Sequence, residues 1–168
     1  NSSKENLLTE IRSLITNCTF SYTRQVEMKG LGHAILTGKT LIGNEPFAVL
    51  LADDLCTNGH DGVLKQMIKV YEKYQCSVVA IEEVPMDKTD KYGVIAGNLV
   101  DGTDDTYRVT DMVEKPDPKD APTNMAIIGR YILTPDIFDI LRETKPGKGG
   151  EIQITDALLE QAKQGNVI

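Results

Sequence analysis

Histidine, cysteine and long apolar runs are all scarce in this sequence. Only two histidines occur among 168 residues, and no Ser-His-Asp or Cys-His set is offered, which argues against nucleophilic catalysis. Cys18, Cys56 and Cys76 are an odd number without paired spacing, so we expect reduced thiols in a cytosolic protein rather than a disulfide framework. No apolar run is long enough to span a membrane and no secretory signal is found, so we expect a cytoplasmic protein without a membrane partner.

Size and charge are those of an ordinary globular domain. The 168 residues suffice for one domain with a core, and 40% of them are apolar and 26% charged. The formal net charge of -7 argues against a general nucleic-acid partner. It does not argue against a phosphorylated substrate, because clustered lysines and a metal ion can still create a local positive site.

Residues 47–54 (FAVLLADD) are the stretch around which the sequence is organised. A short apolar run ends abruptly in two carboxylates, Asp53 and Asp54. The run predicts a strand buried on both faces at the centre of a parallel sheet, with its carboxyl end beside a ligand site. Because side chains alternate along a strand, we expect at most one aspartate to face a given ligand. A carboxylate there suits a divalent cation held against phosphate oxygens, and a capping role for Asp54 is the alternative.

Periodicity predicts helices and strands in alternation along the chain. The spacing of apolar residues predicts helices over 4–16, 62–75 and 151–163, and short helices after Gly30 and Pro135. Alternating or apolar runs predict strands over 19–25, 47–52, 77–84, 92–96, 107–115 and 124–133. The order predicts an α/β layered fold with a mostly parallel sheet, in which the hairpin around residues 101–105 adds an antiparallel section.

Three further motifs place glycines or charges where elements begin and end. In GLGHA (30–34), preceded by Gln25, glycines at the start of a helix let a base or phosphate approach the backbone. A tight turn before the helix is the alternative. For His33, helix packing is the favoured role. VEKP (113–116) offers a carboxylate for hydroxyls and an ammonium for phosphate, or an exposed ion pair. The glycine of YGV (92–94) offers an unhindered N–H, or marks a bulge.

In chain order, these motifs closely resemble those of the bacterial UTP–glucose-1-phosphate uridylyltransferases. The resemblance rests on RQ (24–25), GLGHA (30–34), LADD (51–54), KYGV (91–94), VEKP (113–116), NMAIIGRY (124–131) and GEIQITD (150–156). GLGHA and GEIQITDA are specific to that branch, whereas the aspartate, YGV and EKP pieces are shared by the wider sugar nucleotidyltransferases. The resemblance implies a Rossmann-like, three-layer nucleotidyltransferase fold with a mixed, mostly parallel central sheet.

The resemblance also implies roles for single residues on the nucleotide side. Gln25 and the backbone at Gly30 correspond to the pair that reads uracil. Asp53 corresponds to the aspartate that holds Mg2+ beside the α-phosphate. Mg2+ is therefore the expected cofactor.

On the sugar side, the resemblance implies a set of backbone and charged groups. Gly93 would offer its backbone N–H to glucose, Glu114 would bind glucose hydroxyls, and Lys115 would neutralise the sugar phosphate. The backbone of residues 126–129 would line the sugar pocket. The expected substrates and product are UTP, glucose 1-phosphate and UDP-glucose.

Some parts of the family pattern are not found in this sequence. The N-terminal strand with its glycine-rich triphosphate loop is not found, and neither is the C-terminal segment that carries a second metal-site aspartate. Ala52 stands where the family usually has proline. We therefore expect residues 1–168 to be a partial sugar nucleotidyltransferase core, incomplete at both ends, inactive alone and homo-oligomeric when full length.

The implied reaction transfers uridylyl from UTP to glucose 1-phosphate and releases pyrophosphate without a covalent enzyme intermediate. Rivals within the class are thymidylyl- and cytidylyltransferases, which GLGHA argues against. A metal-dependent glycosyltransferase using Asp53 and Asp54 is a further rival. From a different class, the chain could be a non-catalytic, nucleotide-binding regulatory domain.

Overall fold

The computed structural model describes residues 2–56 and 61–168, which contain both helices and strands. The helices are α1 (Ser2–Asn17), α2 (Leu31–Thr37), α3 (Lys39–Ile42), α4 (Val63–Tyr74), α5 (Ile137–Glu143) and α6 (Ile154–Lys163). The strands are β1 (Phe47–Leu50), β2 (Val78–Glu83), β3 (Gly93–Leu99), β4 (Tyr107–Glu114) and β5 (Met125–Leu133). Short 3-10 helices span Met86–Lys91 and Lys148–Gly150. Within these described ranges, no helix has the length and apolar character needed to cross a membrane.

Strand β5 is the centre of the sheet. Tyr131 of β5 pairs with Val49 of β1 and with Val79 of β2, so these two strands flank β5 on opposite sides. The start of β5 also pairs with β3. Strands β3 and β4 form the predicted antiparallel hairpin, in which Gly93 lies opposite Glu114. The end of β4 and the start of β3 therefore lie side by side.

The prediction of a mostly parallel sheet is wrong. Among the described residues, every pair of these strands is antiparallel, and the parallel contact is an isolated bridge between Ser77 and Val167. The predicted strand–helix–strand unit over 47–84 does form, and β1 and β2 run in the same direction because both are antiparallel to β5. However, β5 lies between them. Periodicity identifies strands, but it does not reveal which strand is inserted between two others.

Helices cover both faces of the sheet, which confirms the predicted layered α/β arrangement. Tyr131 and Leu133 of β5 pack in a core with α5 and α6, whereas Ile132 packs in a second core with α4. This division follows from the alternation of side chains along a strand. Phe138 of α5 stacks on Phe47 of β1, with ring centroids 5.0 Å apart, and so ties β1 to the larger core.

Two further predictions about the first fifty residues are wrong. Strand β1 is not buried on both faces: its residues alternate between half-buried and exposed, because in the described part of the chain it pairs only with β5. Residues 19–25 alternate in polarity but form no strand, and Phe20 and Tyr22 are 60% and 90% exposed. Helix α1 forms as predicted, with the apolar side chains of its stripe exposed.

A buried polar network fixes α6 against the ends of β2 and β5. Gln161, which is fully buried, donates from Nε2 to Asp136 Oδ2 at 2.7 Å and to Thr134 Oγ1 at 3.0 Å. Its Oε1 accepts a hydrogen bond from the Ser77 hydroxyl at 2.9 Å. Leaving such buried groups unpaired would be costly, so the network favours one placement of α6. The first turn of α6 borders the candidate site.

Candidate active site

A cleft of about 310 Å³ opens where β1 and β4 end and where β3 and α6 begin. Four predicted site residues line this cleft: Asp53, Gly93, Glu114 and Lys115. Gln25 and Gly30 do not line it, but Leu31, the residue directly after Gly30, does. The structure thus brings four of the six predicted residues together at the cleft, and Gly30 precedes a fifth lining residue, Leu31.

Glu114 is held at the cleft by neighbours on two elements. The Thr155 hydroxyl donates to Glu114 Oε2 at 3.0 Å, and Lys115 Nζ lies 3.6 Å from Glu114 Oε1. Thr155 lies in the first turn of α6 and is 2% exposed, whereas the Glu114 side chain is 15% exposed. A carboxylate has about four acceptor positions, so Glu114 retains capacity for hydroxyl groups of a ligand.

Gly93 is the residue that allows β3 to approach this pair. A Cβ at Gly93 would lie 2.7 Å from Thr155 Cγ2 and 3.2 Å from Glu114 Oε2, so any side chain would collide. The Lys115 N–H donates to the Tyr92 carbonyl at 2.9 Å. Because hydrogen-bonded pairs alternate with non-bonded pairs in an antiparallel ladder, Gly93 turns its own N–H away from β4.

Lys115 has a left-handed backbone, with φ 46°, immediately after β4. A non-glycine residue in this region costs about 1–2 kcal/mol. Such strain persists where surrounding structure imposes it, and it is concentrated at functional sites. The Lys115 side chain is 49% exposed, so its ammonium can reach a ligand in the cleft.

Arg130 ties the loop after β1 to β5. Its guanidinium donates to the carbonyls of Leu51 at 2.8 Å and Gly129 at 3.0 Å, and also to the carbonyl of Asp54. The residue is 9% exposed, and these acceptors offset much of the cost of burying the charge. Gly129, with φ 63°, lets the loop approach closely, since a Cβ there would lie 2.6 Å from Asp54 Oδ2.

The two aspartates after β1 have different surroundings. Asp53 is exposed at the cleft, whereas Asp54 is half-buried with its carboxylate against Gly129. Both residues line the cleft, whereas alternation along a strand would place neighbouring side chains on opposite faces. The reason is that β1 ends at Leu50 and a turn follows, so the alternation of a strand does not extend to these residues.

Tyr131 adds a phenol to the wall of the cleft. Burial raises the pKa of the Tyr131 phenol, and the negative charges of Glu114 and Asp54 raise that pKa further. The phenol therefore stays protonated at neutral pH. Lys91 and Lys115 also line the cleft and bring positive charge to it. Carboxylates beside ammonium groups suit a ligand that carries both hydroxyl and phosphate groups.

The GLGHA and GEIQITD motifs pack against one another. Ile152 N–H donates to the Lys29 carbonyl at 2.8 Å, and Gly32 N–H donates to the Ile152 carbonyl at 2.9 Å. A Cβ at Gly30, which has φ 89°, would lie 2.6 Å from Glu151 Cβ. This close packing of chain on chain explains the glycine, independently of any approach by a base.

The carboxylates at the cleft suit Mg2+, which needs few protein ligands, better than a structural metal ion, which needs several. In residues 2–56 and 61–168, no three or more His, Cys, Asp and Glu side chains form a cluster that could hold a metal ion. Mg2+ is usually bound by one or two carboxylates together with substrate phosphates and waters. The exposed carboxylate of Asp53 at the cleft is compatible with that kind of binding.

Comparison with known proteins assigns the family. A sequence profile described as "Nucleotidyl transferase" matches residues 1–168. The chain belongs to the nucleotidyl transferase family.

Two curated relatives share one name. The UTP–glucose-1-phosphate uridylyltransferase of Pseudomonas aeruginosa is 66% identical over 169 residues, which is 100% of this chain and 60% of that protein. The enzyme of that name from Staphylococcus epidermidis is 47% identical over 158 residues, 94% of this chain and 54% of that protein.

Solved structures of nucleotidyl transferases agree with the fold described above. A crystal structure of UDP-glucose pyrophosphorylase complexed with UDP-glucose has a TM-score of 0.92 at 64% identity, and the match covers 96% of this chain and 61% of that one. A UTP-bound enzyme from Acinetobacter baumannii has a TM-score of 0.76 at 30% identity, covering 99% and 59%. The chain therefore spans 54% to 61% of the length of these four relatives.

Sequence reasoning missed two residues of the site, Thr155 and Arg130. Both lie inside motifs that carry the resemblance, GEIQITD and NMAIIGRY, but no role follows from the motifs alone. Thr155 reaches Glu114 across 41 positions of sequence, and Arg130 reaches Leu51 across 79. The one available signal for Arg130 is a charged residue inside an apolar strand, which predicts a buried and paired side chain.

Proposed function

We propose that the chain is the core of a UTP–glucose-1-phosphate uridylyltransferase. In the proposed reaction, a phosphate oxygen of glucose 1-phosphate attacks the α-phosphorus of UTP in line, and pyrophosphate leaves as UDP-glucose forms. The observation that supports it most is the cleft in which Glu114, Lys115 and Asp53 meet, in a chain 66% identical to an enzyme of that name. Phosphoryl-type transfer depends on positioning and charge stabilisation, which such a cleft can supply.

Glu114 and Gly93 would bind the glucose ring. The carboxylate of Glu114 is fixed by the Thr155 hydroxyl and accepts hydrogen bonds from vicinal hydroxyls of the sugar. Gly93 turns its N–H away from β4 and would donate it to a sugar oxygen. With the backbone of residues 126–129, these groups would form the sugar side of the cleft.

Lys115 would neutralise the phosphate of glucose 1-phosphate. Its backbone has a left-handed conformation directly after Glu114. The ammonium and the carboxylate therefore lie close together at the end of β4, with Lys115 Nζ 3.6 Å from Glu114 Oε1. Charge-assisted contact with a phosphate opposes the build-up of negative charge as the two phosphates approach. Lys115 is therefore the proposed catalytic residue on the sugar side.

Asp53 would hold Mg2+, the proposed cofactor. When bound, Mg2+ neutralises charge on phosphate oxygens. We expect Asp53→Asn in the intact protein to lower kcat by roughly a hundredfold or more, the loss typical of a key electrostatic stabiliser. Asp54→Asn is the matched control and should cost less, because the Asp54 carboxylate lies against Gly129. Rates measured across a Mg2+ titration would show this, and a larger effect of Asp54→Asn would contradict the assignment.

Gln25 and the backbone at Gly30 would read the uracil base. Gln25 bonds to the Gly30 carbonyl, and Leu31 beyond it lines the cleft, so a nucleotide that extends from the cleft past Leu31 reaches this pair. An amide can recognise the polar edge of a pyrimidine, and a purine would not fit the same approach. Thymine differs from uracil by one methyl group, so discrimination against dTTP through this pair alone should be small.

Product analysis tests the proposed function. The intact protein is incubated with UTP, glucose 1-phosphate and Mg2+, and phosphorus NMR identifies the products. The proposal requires UDP-glucose and pyrophosphate in equal amounts. In parallel incubations, release of UDP from supplied UDP-glucose would instead indicate a glycosyltransferase, and faster use of dTTP or CTP in place of UTP another sugar nucleotidyltransferase. Binding of UTP without turnover would indicate a non-catalytic domain.

A further inference from the structure

The side chain of Gln25 is bound on its nitrogen by two groups. Gln25 Nε2 lies 3.1 Å from the Gly30 carbonyl oxygen and 2.9 Å from His33 Nδ1. Gln25 and His33 are both half-buried, so neither contact is a chance meeting of exposed side chains. The proposed function gives Gln25 a task but gives none to His33.

The chemistry of the two partners fixes the direction of the amide. A carbonyl oxygen only accepts hydrogen bonds, so the Gly30 carbonyl requires the NH2 end of Gln25 and not its oxygen. The second hydrogen of that nitrogen then points to His33, whose Nδ1 must be unprotonated in order to accept it. In this arrangement, the imidazole would carry its proton on Nε2. Both amide hydrogens are used, and the carbonyl oxygen Oε1 is the group that Gln25 can offer a ligand.

The protein backbone holds His33 in place without help from a ligand. His33 lies in α2, one residue after Gly32, whose N–H donates to the Ile152 carbonyl at 2.9 Å. Gly32 is buried, and a Cβ there would lie 2.7 Å from the same carbonyl oxygen. The packing of GLGHA on GEIQITD thus fixes the backbone that carries His33, and the contact with Gln25 forms in the structure without a nucleotide.

We propose that His33 is a specificity-determining positioning residue, which fixes the Gln25 amide with its oxygen available to the base and so selects uracil over cytosine. The proposal rests on the proposed function, in which Gln25 reads the base. Uracil carries a hydrogen at N3 and can donate it to Oε1. Cytosine has an unprotonated N3, which would face Oε1 with two acceptors opposed, and unpaired polar groups of this kind are rejected strongly.

Rotation of the amide is what His33 prevents. The rotated amide would offer its NH2 to the base and accept cytosine, but it would place Oε1 against the Gly30 carbonyl, and His33 would have to carry its proton on Nδ1 in order to bond to it. Without His33, the preference set by its tautomer is lost, whereas the preference set by the Gly30 carbonyl remains. The preference for uracil should therefore weaken without disappearing.

Steady-state kinetics of the intact protein measure this effect. His33→Leu removes the acceptor, and His33→Asn restores an acceptor oxygen near the place of Nδ1. The ratio of kcat/KM for UTP to that for CTP is expected to fall by roughly three- to tenfold in His33→Leu, the factor that one net hydrogen bond contributes. His33→Asn should return the ratio towards the wild-type value, and the KM for glucose 1-phosphate should stay unchanged in both variants.

Nitrogen NMR of the imidazole tests the same point without catalysis and without a variant at position 33. The sequence holds two histidines, so 15N-histidine labelling of the wild type and of a His60→Gln variant assigns the His33 signals. At about pH 8, where free imidazoles are neutral, the proposal requires a protonated Nε2 and an unprotonated Nδ1. A protonated Nδ1 would overturn it, even if His33→Leu failed to fold.

A parallel Gln25→Ala variant separates the failure of this inference from that of the proposed function. If Gln25→Ala lowers the UTP-to-CTP ratio and His33→Leu does not, Gln25 reads the base but His33 does not orient it. If Gln25→Ala also leaves the ratio unchanged, the base is read elsewhere and the inference falls with that assignment. If the wild type releases no pyrophosphate, the proposed function itself fails, whereas the NMR result still decides the state of His33.

Discussion

Gly93→Ala is expected to destabilise the protein through one defined collision. The added methyl would lie 2.7 Å from Thr155 Cγ2, 3.1 Å from Ile127 Cδ1 and 3.2 Å from Glu114 Oε2. Overpacking of a closely packed site costs about 1–3 kcal/mol. The upper part of this range is expected, because Thr155 and Ile127 are 2% and 6% exposed and neither can move into solvent.

A second substitution should relieve the collision. Thr155→Ser deletes the methyl group that the new Cβ strikes and keeps the hydroxyl that binds Glu114. The double variant Gly93→Ala/Thr155→Ser should therefore be more stable than the sum of the single effects, with a coupling free energy of about 1 kcal/mol or more. Gly62→Ala is the matched control. A Cβ at Gly62 meets nothing within 4 Å, so its effect should stay within about 0.5 kcal/mol.

Urea unfolding of the intact protein measures these free energies. Because the sequence has no tryptophan, far-ultraviolet circular dichroism is a better probe than fluorescence. The reasoning would be refuted if Gly93→Ala unfolded at the wild-type urea concentration. It would also be refuted if Thr155→Ser gave Gly93→Ala no recovery, since the collision would then not be with the Thr155 methyl.

Four further outcomes follow from the structure. Glu114→Gln should raise the KM for glucose 1-phosphate, because the carboxylate binds sugar hydroxyls throughout the reaction. Lys115→Ala should mainly lower kcat. If both effects were confined to the KM for UTP, both residues would be misplaced on the sugar side. Arg130→Met should lower the free energy of unfolding by about 2 kcal/mol or more, because three carbonyls lose a charged donor, and an unchanged urea midpoint would contradict this. Burial raises the pKa of the Cys76 thiol, so a thiol reagent should modify exposed Cys18 at once and Cys76 only on unfolding; rapid labelling of native Cys76 would contradict its burial.

The sequence predicted the local elements of the site better than the sheet that joins them. Asp53, Gly93, Glu114 and Lys115 lie at strand ends, and a motif next to an apolar run is a local signal that one sequence carries. The antiparallel sheet depends on β5 being inserted between β1 and β2, and this long-range choice leaves no mark on the periodicity of any strand. For the same reason, alternation within β1 did not predict the turn that brings both aspartates to the cleft.

Contacts between distant motifs could not be predicted from the sequence either. Gly30 suggested a close approach by a base, but the structure shows that Glu151 and Ile152 occupy the space beside it. Thr155 and Arg130 act through partners far away in the chain, so no spacing rule could point to them. Sequence reasoning thus named candidate residues that the fold brings to one cleft, whereas the residues that position them required the fold.

The central claim is that the cleft at the end of β4 binds the sugar phosphate of the substrate. A crystal structure of the intact protein with UDP-glucose tests it most directly. The account predicts glucose hydroxyls within hydrogen-bond distance of the Glu114 carboxylate, a phosphate oxygen within reach of Lys115 Nζ, and uracil beside Gln25. A glucose ring bound elsewhere, with Glu114 still bonded to Thr155 and out of contact with the sugar, would contradict it.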